Sequence, residues 1–90
     1  MKRPNVFLYR KGCSLCYDAL QEVAPFFTAR GLPLVVEVIR GQFIQQIPYV
    51  PALLIRKTAF NTTQEVVLMG RDMVQQLQVL EAATLKLDDP

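Results

Sequence analysis

Val6-Phe7-Leu8-Tyr9-Arg10-Lys11-Gly12-Cys13-Ser14-Leu15-Cys16 contains a change of period. Its first four residues are apolar β formers, bounded by Pro4-Asn5 ahead and Arg10-Lys11-Gly12 behind, and predict a short buried strand. From Ser14 the period becomes helical. Cys16, Leu20, Val23 and Phe27 recur at i, i+4, i+7 and i+11, one face of a helix that runs to about Ala29. Pro25 lies inside that helix and is expected to kink it, because it removes one backbone bond. Gly31 is a stop signal. Both cysteines therefore stand where a strand gives way to a helix.

Further along, Leu34-Val35-Val36-Glu37-Val38-Ile39 is almost continuously apolar and β-branched, the pattern of a central strand covered on both faces. Gln42 to Ile47 holds at most a short helix, ended by Pro48. Pro51 to Ile55 reads as a third strand with its proline at the entrance, where proline is tolerated. Lys57 to Gln64 reads as a polar connection. Glu65 to Met69 is a fourth strand, closed by Gly70. Asp72 is placed to cap a last helix with Met73, Leu77, Leu80 and Thr84 on one face. The order is β-α-β-α-β-β-α. It predicts an α/β fold in which helices flank a four-stranded mixed sheet. The first two strands should be parallel and the last two antiparallel.

Composition narrows the function. The chain has 90 residues, the size of a single domain, and 51% of them are apolar, enough for a core. Its net charge of +2 gives no case for a nucleic-acid or membrane-surface protein. With no histidine there is no Ser/His/Asp triad, no Cys/His protease site and no histidine metal ligand. Two cysteines cannot staple a small secreted scaffold or alone close a four-ligand zinc site. The apolar run behind the basic N-terminus is shorter than the ~7–15 residues of a signal peptide or the ~20 of a membrane span. A cytoplasmic, monomeric protein without membrane contact is the expectation.

Cys13-Ser14-Leu15-Cys16 is the one motif with chemistry in it. At a helix N-terminus, free N–H groups and the helix dipole stabilise a thiolate. Such sites lower a thiol pKa from ~8.5 to roughly 3.5–7.5. Arg10 and Lys11 add positive charge that pushes the same way. Cys16 belongs to the buried stripe, so the two thiols divide the work. Cys13 is the exposed nucleophile and Cys16 the sheltered resolving thiol. Two unrelated core cysteines, or a metal site built from two chains, are the competing readings of the same residues.

Three landmarks in order resemble the thioredoxin superfamily, and within it the glutaredoxins. Tyr9 to Cys16 looks like the glutaredoxin active-site strand, loop and helix. Tyr49-Val50-Pro51-Ala52-Leu53-Leu54 is similar to the segment whose proline is cis and faces the cysteines. Gly70-Arg71-Asp72 is similar to the glycine turn and acidic cap before the last helix. The likeness spans about Val6 to Leu85 and implies a thioredoxin-like, glutaredoxin-type fold. It further implies that Pro51 presents the backbone of Val50 to a disulfide substrate. Arg10 stands where many glutaredoxins have a Lys that meets a glutathione carboxylate. Asp72 matches one of two polar residues near the γ-glutamyl end. The chain departs from the pattern at Ser14 (usually Pro), Tyr49 (Thr), Met69 (Gly) and Met73 (polar or acidic).

Together these readings describe a dithiol–disulfide oxidoreductase that reduces protein or glutathione mixed disulfides. Cys13 and Cys16 are catalytic. Arg10, Lys11, Tyr17, Val50, Pro51, Gly70 and Asp72 are the candidate substrate-binding residues. No bound cofactor or metal is called for. Glutathione or a thioredoxin-reductase-like flavoprotein would supply electrons, and disulfide-bearing proteins would be the partners. An iron–sulfur or metal-carrying glutaredoxin-like protein and a redox-inert interaction module are the alternatives. Tyr17 reads equally as a lining of the substrate groove or as a cover over the helix start.

Overall fold

The computed structural model describes residues 3–39 and 50–88, the last four of these by backbone alone. Strand β1 (Asn5–Tyr9) leads through a turn into helix α1 (Ser14–Ala29), and strand β2 (Leu34–Val38) follows. After the segment 40–49 come strand β3 (Ala52–Ile55), a one-turn helix α2 (Lys57–Phe60), strand β4 (Val66–Met69) and helix α3 (Met73–Asp88). The short helix expected over Gln42 to Ile47 lies outside the described residues. No helix among the described residues is long and apolar enough to cross a membrane.

The four strands form one mixed sheet in the order β2-β1-β3-β4. β1 and β2 are parallel, as the intervening helix requires, and β3 is antiparallel to both β1 and β4. One face of the sheet supplies Phe7, Leu53 and Ile55 to the core. Val23, Phe26 and Phe27 of α1, Phe60 of α2, and Met73 and Leu77 of α3 close over them. The helical stripe read from the sequence is thus the buried face of α1, with Phe26 added and Leu20 half-buried. Pro25 is accommodated inside α1, which continues past it to Ala29.

Two expectations are corrected. β2 is an edge strand among the described residues, not a central one, and Val35 and Val36 are 37% and 45% exposed. A β-branched run reports a preference for extended backbone and does not distinguish the edge of a sheet from its middle. The connection from Lys57 to Gln64 is not wholly polar loop. Its start coils into α2 because Phe60 is drawn into the core, with its ring 6.4 Å from that of Phe26. Asn61, at φ +56°, then ends the turn in the left-handed region that Asn tolerates.

Asn5, which the sequence offers only as a strand boundary, is buried and joins three segments. Its Nδ2 donates to the Pro33 carbonyl at 2.9 Å, and its Oδ1 accepts the Arg56 N–H at 2.8 Å. Arg56 in turn donates to the Pro4 carbonyl and reaches Glu65 at 2.7 Å. Across the helices, the Arg30 guanidinium lies 3.5 Å from the centre of the Phe26 ring and donates to both carboxylate oxygens of Glu81. The end of α1 is thereby fastened to α3.

Candidate functional site

The site begins at the join of β1 and α1. Gly12 turns the chain at φ +80°, a conformation that costs glycine little. The Cys13 N–H donates to the Arg10 carbonyl, which closes the turn. Cys13 is the N-cap of α1, extended at φ −89° and ψ 100°, and its sulfur accepts the Cys16 N–H at 3.1 Å. Its carbonyl accepts the Tyr17 N–H and so starts the helix. A sulfur here does what a serine or aspartate oxygen does at other caps, satisfying one of the free N–H groups of the first turn.

Cys13 and Cys16 are joined in a disulfide, with Cα atoms 5.2 Å apart. Cys16 is fully buried and Cys13 half-buried. The exposed–sheltered asymmetry read from the helical period is therefore present. Tyr17 covers the turn. Its hydroxyl is 3.4 Å from the Gly12 N–H, at the long end for such a bond, and its ring lies tilted 5.9 Å from that of Tyr9. The side chain is still 45% exposed.

The other candidates gather at the same end of the sheet. Ala52 pairs with Leu8, so Pro51 arrives beside the end of β1 that leads to the cysteines. Pro51 is buried, Val50 is half-buried, and the peptide between them is cis. The Gly70 N–H donates to the Pro51 carbonyl at 2.9 Å, which ties the turn after β4 to the same place. Gly70 lies at φ +85°.

Two hollows are lined by some of these candidates. One, of about 220 Å³, is lined by Gly70, Arg71, Asp72 and Met73 facing Leu15, Asp18, Ala19 and Glu22 of α1. The other, of about 460 Å³, is lined by Arg10 and Lys11 with Val38 and Ile39. The basic candidates and the Gly70–Asp72 candidates are thus brought to the same end but into separate hollows. The α1 contributors were not singled out from the sequence. Their spacing at 15, 18, 19 and 22 is one helical face, which is the signal that finds them.

Asp72 departs from expectation as a cap. Its carbonyl accepts the Gln76 N–H at 3.0 Å, so it does hold the N-cap position before α3. Its φ is +57°, not the extended value from which a capping side chain reaches back, and its carboxylate has no hydrogen bond among the described residues. The Gln76 side chain serves the turn instead, donating to the carbonyls of Met69 and Arg71. Among the described residues, no three His, Cys, Asp or Glu side chains converge as a metal-binding group.

Compared with protein-family models, curated proteins and solved structures, the chain gives no match.

Proposed function

We propose that this chain is a thiol–disulfide oxidoreductase with a thioredoxin-like, glutaredoxin-type fold. The observation that carries the reading is the Cys13–Cys16 disulfide at the head of α1, with the Cys16 N–H directed at the Cys13 sulfur. A hydrogen bond to a sulfur is stronger when that sulfur is an anion. The same N–H, aided by the helix dipole, thus favours the thiolate of Cys13 in the reduced protein.

The Cys13 thiolate attacks one sulfur of a substrate disulfide. A mixed disulfide forms and one substrate thiolate leaves, taking a proton from solvent. The Cys16 thiol then loses its proton and attacks the Cys13 sulfur. The mixed disulfide breaks, the Cys13–Cys16 bond forms, and the second substrate thiolate leaves. The substrate gains two electrons and two protons; the cysteine pair supplies both electrons and the Cys16 proton, and solvent supplies the other proton. Two molecules of glutathione, or a flavoprotein dithiol, restore the pair. Val50 and Pro51 offer the substrate their backbone in the bend that leads into β3. Arg10 and Lys11 receive a carboxylate in one hollow. Gly70 and Asp72 border the other, and Tyr17 shields the turn.

The test is disulfide reduction by the wild-type chain, Cys13→Ser and Cys16→Ser, with glutathione and with a flavoprotein reductase as donors. Cys13→Ser abolishes turnover, whereas Cys16→Ser accumulates a mixed disulfide at Cys13 detectable by mass. Full activity in Cys13→Ser refutes the proposal.

A further inference from the structure

Strand β4 has β3 on one side and no strand on the other among the described residues. One bond fixes which way its backbone points. The Gly70 N–H donates to the Pro51 carbonyl, and bonded positions alternate along an antiparallel ladder. Given the pairs Leu53–Leu68 and Ile55–Val66, residues 66, 68 and 70 turn their backbone groups toward β3. Val67 and Met69 therefore turn theirs to the open side. The Gln76 amide reaches the Met69 carbonyl from that side at 3.2 Å and leaves it a second lone pair.

The edge is short, at four residues, but its sequence carries little that would repel a neighbouring strand. Val66-Val67-Leu68-Met69 holds neither a charge nor a proline. The side chains of Val67 and Met69 are 44% and 36% exposed. Beside the edge, α3 borders a shallow groove of about 650 Å³ whose apolar lining includes Leu68, Val79, Leu80 and Ala83. Val79, at the border of this groove, is 65% exposed.

We propose that a second copy of this chain occupies this surface, adding its own β4 antiparallel about a twofold axis through Leu68. In that register Val67 lies opposite the partner's Met69, and Met69 opposite the partner's Val67, so every outward N–H and C=O of the two residues meets its complement. The same register brings Glu65, one of whose carboxylate oxygens already accepts from Arg56 of its own protomer, toward the partner's Arg71 at both ends of the junction. Moving the axis to Val67 sets Glu65 against the partner's Met69, and moving it to Met69 leaves Glu65 unmatched. The edge is thus self-complementary in charge as well as hydrogen bonding, which an interface between identical copies requires. An axis perpendicular to the sheet also keeps both α3 helices on one face. Val79 and Ala83 of each then fill the groove of the other, beneath a continuous eight-stranded sheet.

Sedimentation of the full chain over a wide concentration range tests this. The wild-type protein reaches twice the protomer mass. Val67→Lys, which places a charge on the edge, and Val79→Glu, which places one in the groove, each sediment as a monomer with unchanged circular dichroism. Should Val67→Lys disturb folding, Val79→Glu on the exposed side of α3 still decides the matter. Arg71→Glu weakens association by roughly tenfold at low salt, an effect that added salt reduces. A wild-type chain that stays monomeric up to millimolar concentration overturns the proposal and leaves the edge to an extended peptide or to solvent. A dimer that survives both Val67→Lys and Val79→Glu overturns it equally, because the dimer then uses another face.

Discussion

The Cys16 N–H points at the sulfur of Cys13 from 3.1 Å, while the Cys16 side chain is fully buried. The residue that donates to the Cys13 sulfur is therefore the one whose own sulfur is shielded. In the reduced protein Cys13 is expected to react with iodoacetamide at neutral pH roughly tenfold faster than a free thiol of pKa ~8.5, and Cys16 far more slowly. Mass analysis of a timed alkylation reads both rates. Equal labelling of the two thiols would contradict the geometry.

Asn5→Ala removes the donor to the Pro33 carbonyl and the acceptor of the Arg56 N–H. The half-buried Arg56 N–H is then left without its acceptor, while the exposed Pro33 carbonyl keeps its bond from the Asn5 backbone N–H. The expected cost is about 1–3 kcal/mol. For a domain of this size that lowers the melting temperature by ~4 °C or more. Urea unfolding followed by circular dichroism measures it.

Glu81 is held below its ordinary value of 4.5, first by the hydrogen bond from Arg30 and against the opposing effect of burial. Glu65 is lowered likewise by its hydrogen bond from Arg56. The unfolded chain protonates these groups first as pH falls. Their contribution is complete above 4.5 and is lost as pH drops from there through the lower folded values. Both pairs are solvent-exposed, so the effect is small. Glu81→Gln should lower the urea midpoint at neutral pH and match the wild type well below 4.5.

Phe27→Ala empties a site at the centre of the core and is expected to cost about 3–5 kcal/mol. Val36→Ala, on the edge strand, should cost about 1 kcal/mol or less. A cost at Val36 comparable to that at Phe27 would mean that β2 is covered, as its apolar sequence first suggests.

The parts of this chain governed by local rules were legible in its sequence. α1 spans the residues its period predicts, and its cap and buried stripe fall on the two cysteines. The four strands and the parallel and antiparallel pairs also follow from pattern and connection length. What was not legible depends on neighbours distant in the chain. Asn5 looks like turn punctuation because its partners, Pro33 and Arg56, are 28 and 51 residues away. Val35 and Val36 read as interior because a run of valines carries no record of which strand lies beside it. Asp72 reads as a cap from its place before a helix, but the turn through Gly70 fixes its backbone in the left-handed region.

The Cys13–Cys16 bond joins residues one helical turn apart, within a segment whose ends are already held by β1 and α1. It links nothing that the backbone does not already hold close. In the proposed redox cycle, making or breaking it is expected to leave the surrounding backbone in place and to change what the head of α1 displays: a neutral bridge in one state, a thiolate in the other. A partner that must tell the two states apart has no altered contour to feel. It has to read the sulfur itself.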